Sequence, residues 1–148
     1  MSPVDLVLRL LLAAVLGAAL GLEREYWRKP AGLRTNILIA VGSAVFTLMS
    51  ISIARDGGTP DRISAQIVTG VGFLGGGAIL RNRTSVHGMT TAATIWVNAA
   101  VGMAAGAGES LMATMATVMT LVVLVALSPI ERYFERQDDD ARTRLIKR

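Results

Sequence analysis

The sequence predicts an all-α polytopic membrane protein, a bundle of five transmembrane helices. Of its 148 residues, 52% are hydrophobic, and the mean hydropathy is +0.50. Four windows of 18 to 21 residues contain no charged residue, and a fifth apolar window lies near the N-terminus. Because a helix needs about 20 residues to cross the hydrocarbon core, each window is long enough to span a bilayer.

The predicted helices cover about residues 4–22, 35–54, 63–80, 89–108 and 110–128, in a transmembrane domain 1–130 followed by a charged tail 131–148. The first window contains Asp5 and Arg9, whose i,i+4 spacing lets them pair, and Arg9 is expected to reach the membrane surface. No basic segment precedes its apolar run, which favours a retained helix over a cleaved signal peptide. Thr90 and Thr91 are predicted to cap the fourth helix, and Pro129 to end the fifth.

The basic residues predict the orientation. Twelve of the fifteen Lys and Arg residues fall in the tail and in the loops on one side of the five-helix arrangement, and three fall on the other side. Because cytoplasmic loops are enriched in Lys and Arg, the N-terminus is expected outside and the C-terminus in the cytoplasm. Topology also accounts for the net charge of +4, so we predict no nucleic-acid partner.

The stretch GVGFLGGGAILR carries Gly70, Gly72 and Gly75 at the G-x-G-x-x-G spacing of a dinucleotide site. Such a site needs a preceding strand and an acidic residue about 20 positions later. No Asp or Glu occurs between Arg62 and Glu109, so a nucleotide site is not expected. No other cofactor motif is present, and no cofactor is predicted.

Glycine pairs four residues apart indicate close helix packing instead, because small residues let membrane helices approach closely. These pairs are Gly17 and Gly21, Gly72 and Gly76, and Gly102 and Gly106. They predict that helices 1, 3 and 4 form the packed centre and that helix 5 faces lipid. An alternative for Gly75, Gly76 and Gly77 is a bend, or a place where the backbone faces a cavity.

Polar side chains within the spans are candidates for a site, because each needs a partner in hydrocarbon. Gln66 lies in the third helix, Trp96 and Asn98 lie in the fourth, and Asn36 lies at the start of the second. Hydrogen bonds between helices are the simpler interpretation for Asn98 and Trp96. The alternative is that Gln66, Asn98 and the glycines line a path through the membrane.

A group of charged residues marks the boundary after the first helix, where Glu23, Arg24, Glu25 and Arg34 flank a Pro-Gly turn. One interpretation is an ion pair of Glu25 with Lys29 and basic residues that obey the positive-inside rule. The other is a weak candidate site for Mg2+ at Glu23 and Glu25, since Mg2+ prefers oxygen ligands. The single histidine, His87, is interpreted as an ordinary loop residue. The sequence contains no hydrolase or zinc-protease motif, so no enzyme is predicted.

Three segments in this order, GLEREYWRKPAGLRTN, AQIVTGVGFLGGGAILR and VHGMTTAATIWVNAAVG, resemble the MgtC/SapB family of bacterial inner-membrane proteins. The resemblance covers about residues 10–108. It implies a five-helix inner-membrane domain and a link to growth under magnesium limitation and to survival in macrophages. It also implies regulation of a membrane partner, since the best-known member is described as an inhibitor of the ATP synthase. A short, SapB-like form without the C-terminal soluble domain is expected.

The positions that match the family motifs are Glu23, Arg24, Glu25, Gly32, Leu33, Arg34, Thr35, Gln66, Gly72, Phe73, Leu74, Gly75, Gly77, Gly88, Thr90, Thr91, Ala92, Ala93 and Trp96. Asn36 and Asn98 join these as candidates for the functional site. Gly76 replaces an Ala of the family pattern, and Met89 replaces a Leu.

Three functional hypotheses follow from these residues and the resemblance. The first is a non-enzymatic regulator or adaptor that acts on the ATP synthase or another membrane protein. The second is a small transporter or channel for magnesium or another cation, and the third is a passive assembly subunit. The bilayer is the expected environment in each case, and the small-residue tracks make a homodimer an alternative to a single bundle.

Overall fold

The computed structural model describes residues 1–55, 61–81 and 86–146, and within them the chain forms five helices, as predicted. The elements are α1 (Pro3–Tyr26), α2 (Leu33–Arg55), α3 (Asp61–Gly77), β1 (Leu80–Arg81), β2 (Val86–His87), α4 (Met89–Ala107) and α5 (Ser110–Ile146). Three described segments are long and apolar enough to cross a membrane: Pro3–Tyr26, Leu33–Ala54 and Ser110–Pro129. The apolar part of α3, Ile63–Gly77, is shorter than the predicted span.

Helix α1 extends further than predicted. Ser2 caps its start by accepting a hydrogen bond from the backbone N–H of Asp5 at 3.1 Å, and Pro3 occupies the first turn. The predicted ion pair forms, with Arg9 Nε 3.1 Å from Asp5 Oδ1. The helix continues through Tyr26, four residues past its predicted end. The charged residues at 23–25 therefore belong to the helix, which fixes the directions of their side chains.

The start of α4 corrects the predicted threonine cap. Gly88 is the N-cap residue, with φ of +90°, and it supplies no side-chain hydrogen bond to the open backbone N–H groups there. A side chain at Gly88 would collide with the carbonyl of Ala78, so the turn requires both glycine's small size and its left-handed backbone. Thr90 and Thr91 are already inside the first turn, which frees the Thr91 hydroxyl for another contact.

Helix α5 corrects the predicted end at Pro129. Proline removes one intrahelical hydrogen bond, but the helix continues through it to Ile146. Membrane helices tolerate such a residue because local adjustment satisfies the freed carbonyl. The apolar span nevertheless ends at Pro129. The domain boundary placed at residue 130 remains a prediction.

Two short strands follow α3 and were not predicted. β1 and β2 pair antiparallel, with Leu80 opposite His87 and Arg81 opposite Val86. The third helix ends at Gly77, three residues before the end predicted at residue 80. His87 is an exposed residue of this hairpin, where an ordinary loop position was expected.

The packed centre consists of α1, α2 and α4, so the prediction that α3 belongs to it is wrong. An added side chain at Gly17 would lie 2.8 Å from Ala40 Cβ, and one at Gly21 would lie 2.7 Å from Leu33 Cα. From the other side, an added side chain at Gly102 would lie 2.8 Å from Ala40 Cα. Both glycine tracks thus contact α2 closely. Such contacts require small residues, which leave the backbones exposed to each other.

Helices α2 and α4 run in the same direction in a constant register. Asn98 bonds to Asn36, which lies 62 positions earlier, and the glycines one and two turns further along α4 meet Ala40 and Ala44 at the same offset. Because the i,i+4 spacing matches on both helices, one glycine track supports the contact over three turns.

Helix α3 packs on this centre mainly through α4 and less extensively through α2. Ile67 and Val71 pack against Ile95 and Ala99 of α4, and an added side chain at Gly75 would approach the Ala92 carbonyl at 3.4 Å. At Gly70, Gly72, Gly76 and Gly77, by contrast, an added side chain would meet no described atom within 4 Å. The predicted contact of Gly72 and Gly76 within the bundle is therefore not formed.

Candidate functional site

A buried polar cluster occupies the end of the bundle where α1 ends and α2 and α4 begin, here called the basic end. Arg24 is 4% exposed, although it is charged. It follows Gly17 and Gly21 on the same face of α1, because residues i, i+4 and i+7 align on a helix. The guanidinium extends from this face to α4, where Arg24 Nη2 donates to Thr91 Oγ1 at 3.1 Å.

The two glutamates beside Arg24 have different partners. Glu23 is largely buried, and its Oε2 lies 3.7 Å from Arg24 Nη1. Glu25 Oε2 instead accepts a hydrogen bond at 3.1 Å from the backbone N–H of Leu33, the first residue of α2. Since helix N-termini carry partial positive charge, the Glu25 carboxylate serves as a cap supplied by the preceding helix.

The turn between α1 and α2 has a conformation that brings Glu25 to the start of α2. Arg28 and Ala31 have φ of 52° and 57°, in the left-handed region that non-glycine residues rarely adopt. A side chain at Gly32 would collide with Glu25 Oε2, so the close approach of the carboxylate depends on glycine there. Asn36 completes the turn by donating from Nδ2 to the carbonyls of Ala31 and Gly32.

A pair of buried asparagines links α2 to α4 at the next level of the cluster. Asn98 Nδ2 donates to the backbone carbonyl of Asn36 at 2.7 Å and to Asn36 Oδ1 at 3.0 Å. Both residues are fully buried. Within the described part of the chain, Asn98 Oδ1 has no hydrogen-bond partner. The hydrogen-bond interpretation of Asn98 is thus the one that the geometry supports.

The structure joins some predicted site residues and separates others. Glu23, Arg24, Glu25, Asn36, Thr91 and Asn98 belong to the buried cluster or its cap. Arg34, Thr35, Gln66, Thr90 and Trp96 are exposed. Neither the predicted ion pair of Glu25 with Lys29 nor a group of three potential metal-binding side chains occurs among the described residues. The two carboxylates of the candidate Mg2+ site have separate contacts.

Sequence reasoning missed a second cap at the opposite end of the bundle. Arg9 Nη1 donates to the Gly106 carbonyl at 2.9 Å, and its guanidinium packs against Gly108, whose φ is +92°. Helix α4 has no basic residue in its last turn, and α2 has no acidic residue in its first. Helix α1 therefore supplies the charge that each terminus favours, Arg9 at one end and Glu25 at the other.

Two cavities flank α3. The larger, about 650 Å3, lies between α2 and α3 with Ile95 of α4 at its wall, and only Thr35, Ser43 and Gln66 are polar in its lining. The smaller, about 400 Å3, lies on the other side of α3 and is lined in part by Trp96 and Glu109. Both are largely apolar.

Comparisons with known proteins agree on one family. The MgtC family model matches residues 10–133. The chain is 46% identical over 131 residues to the uncharacterized protein slr0014 of Synechocystis, covering 88% of this chain and 56% of that protein. It is 50% identical over 103 residues to Protein MgtC of Salmonella typhimurium (70% and 44%). It is 48% identical over 111 residues to YhiD of Escherichia coli, named "Putative magnesium transporter YhiD" (70% and 52%).

The chain spans about half the length of the curated relatives it matches. No solved structure matches it. The family model covers most of the chain and includes every helix of the packed centre except the first turns of α1. The chain belongs to the MgtC family.

Proposed function

We propose that this protein is a non-enzymatic membrane regulator or adaptor that binds a transmembrane helix of another membrane protein along α3. The observation that carries the proposal is the open face of α3. Two of the three glycine pairs lie in the contacts of α1 and α4 with α2, whereas a side chain added at Gly72 or Gly76 would meet no atom of another described element within 4 Å. Lipid chains gain little from such a small-residue track, but a helix can approach it closely.

Gln66 supports a protein partner along the same helix, on a neighbouring face. Its side chain is exposed on α3 and lines the larger cavity. A primary amide within hydrocarbon needs hydrogen-bond partners, and acyl chains offer none. A partner helix that carries a polar side chain would supply them.

The use of the other polar groups favours an adaptor over a transporter. Arg24, Thr91, Asn36 and Asn98 hold the helices to one another, and neither cavity beside α3 is lined mainly by polar groups. The link to magnesium rests on the relative named 'Putative magnesium transporter YhiD'. The ATP synthase is the first partner to test, in a bacterial inner membrane with the basic end in the cytoplasm.

A cation transporter is the second candidate, because Thr35, Ser43 and Gln66 face the larger cavity. Purified protein in liposomes with an internal magnesium-sensitive dye separates the two functions. Flux that depends on Gln66 would support transport, and a tight membrane would support the adaptor.

The adaptor hypothesis is tested directly by a larger side chain on the open face of α3. We expect Gly72→Leu to abolish rescue of growth at low magnesium while the protein still inserts and melts normally. Ala126→Leu adds similar bulk to an exposed position of α5 and should leave rescue intact. Full rescue by Gly72→Leu would contradict the proposal.

A further inference from the structure

A third pocket, of about 650 Å3, opens beside the last turns of α1, away from α3. Leu22, Glu23, Glu25, Tyr26, Trp27 and Val125 line it. Leu22 and Val125 are each more than half exposed and belong to apolar segments, so the pocket opens towards the lipid. The two aromatic residues stand where α1 leaves its apolar run, as interfacial aromatics do.

Glu23 lines this pocket, and one of its carboxylate oxygens is an unsatisfied acceptor just behind the pocket wall. Its side chain is 9% exposed, and within the described residues its buried Oε2 accepts no hydrogen bond. The 3.7 Å that separate it from Arg24 Nη1 are too long for one. Arg24 itself bonds across to Thr91 on α4. A buried carboxylate oxygen without a donor is costly, so rotation of the Glu23 carboxylate towards a donor in the pocket would be favoured.

The charged residues that line the pocket are both acidic. They are Glu23 and Glu25, and Arg24 beside Glu23 balances one of the two negative charges. Mg2+ fits poorly, because it requires near-octahedral oxygen coordination and the two carboxylates are engaged separately, Glu23 beside Arg24 and Glu25 at the start of α2. A monovalent ammonium with N–H donors fits the charge, the free acceptor and the apolar and aromatic walls together.

The geometry points to a binding site for the headgroup ammonium of an aminophospholipid such as phosphatidylethanolamine. The ammonium donates to the Glu23 carboxylate, with the rings of Tyr26 and Trp27, 5.3 Å apart, beside it. The start of an acyl chain lies against Leu22 and Val125. The site is independent of the proposed partner helix, because it lies between α1 and α5.

The test compares lipids with identical acyl chains, added to the full-length protein in neutral-detergent micelles while its thermal midpoint is recorded. Phosphatidylethanolamine should raise the midpoint saturably, by about 2–4 °C more than phosphatidylcholine or phosphatidylglycerol. Phosphatidylcholine keeps the positive charge but has no N–H donor, and phosphatidylglycerol has no ammonium. Equal shifts with all three lipids would overturn the proposal.

Three variants assign the effect to Glu23. Glu23→Gln should abolish the preference for ethanolamine, while Glu109→Gln, the same change at an exposed residue outside the pocket, should keep it. Val125→Lys places a tethered ammonium at the pocket wall and should raise the midpoint in the natural background, but not with Glu23→Gln. The midpoint of Val125→Lys alone is measured with Glu23 intact. It therefore still tests the proposal if Glu23→Gln folds poorly.

Two further arms distinguish the source of the ligand. Soluble ethanolamine that gives the same saturable shift at millimolar concentration would assign the site to a free amine and overturn the lipid. Stabilisation by MgCl2 without lipid, lost in Glu23→Gln, would identify a metal site and also overturn it. No effect of either solute is the expected result.

Discussion

The close contact of α4 with α2 makes a quantitative prediction at Gly102. In Gly102→Ala, the new methyl group would lie 2.8 Å from Ala40 Cα and closer still to its carbonyl oxygen. Both are backbone atoms in the centre of α2, which cannot rotate away. The helices must therefore separate until the contact reaches an ordinary distance, a shift of about 1 Å in a close-packed interior.

Two opposing terms set the size of the effect. Overpacking of this kind costs about 1–3 kcal/mol, and a gap of about 0.5–1 Å elsewhere along the interface forfeits a quarter to a half of each contact. Alanine is also the better helix former, by about 1 kcal/mol. Gly72→Ala has the same propensity gain and meets no described atom, so it is the matched control. We expect Gly102→Ala to be less stable than Gly72→Ala by about 1–3 kcal/mol.

The assay is reversible unfolding by SDS in mixed micelles, followed by far-ultraviolet circular dichroism, on both variants and the natural protein. Gly106→Ala, whose added carbon would lie 2.6 Å from the Ala44 carbonyl oxygen, should behave like Gly102→Ala. If Gly102→Ala and Gly72→Ala unfold within about 0.5 kcal/mol of each other, close approach at Gly102 does not hold α4 on α2, and the reasoning is refuted.

Three further predictions concern the basic end. Glu25→Ala should lower the free energy of unfolding by about 0.5–2 kcal/mol through loss of the α2 cap, measured by SDS unfolding; unchanged stability would contradict the cap. Arg24→Leu should lower the free energy of unfolding by about 3–5 kcal/mol, because it leaves Glu23 buried without its cation. The double variant Arg24→Leu with Glu23→Leu should recover much of this stability. A double variant as unstable as Arg24→Leu argues against the pair. Asn98→Ala and Asn36→Ala should each cost about 0.6–2 kcal/mol and be strongly non-additive in a double-mutant cycle, whereas additive losses would mean that their hydrogen bonds are not shared.

Several features follow from the sequence because they depend on near neighbours or on the solvent. The uncharged windows predict the five helices, since a chain in hydrocarbon must satisfy its backbone internally. The i,i+4 spacing predicts the pair of Asp5 and Arg9, and the glycine spacing identifies two of the tracks that pack. The charged residues in the last turn of α1 are marked as a candidate site by their composition alone.

The partner of each track is a different matter, because it depends on where other helices lie. Gly17 and Gly102 both press on Ala40, yet nothing in the motif of α2 distinguishes it from the other apolar spans. The identical G-x-x-x-G spacing at Gly72 meets no neighbour within the described chain. A pattern of small residues indicates that another helix can approach closely. Only the packing of the whole bundle decides which helix does so.

The sequence by itself determined the helical class, the apolar spans and the residues able to form a polar cluster, because these depend on side-chain chemistry and helical period. Only the tertiary structure decided that Glu25 caps α2, that Arg9 caps α4 and that Asn36 meets Asn98. The contacts of Arg9 with α4 and of Asn36 with Asn98 join residues far apart in the chain, and the contact of Glu25 with α2 depends on the path of the turn between them. They form because α1 and α4 both pack against α2, which brings their polar groups within hydrogen-bond reach.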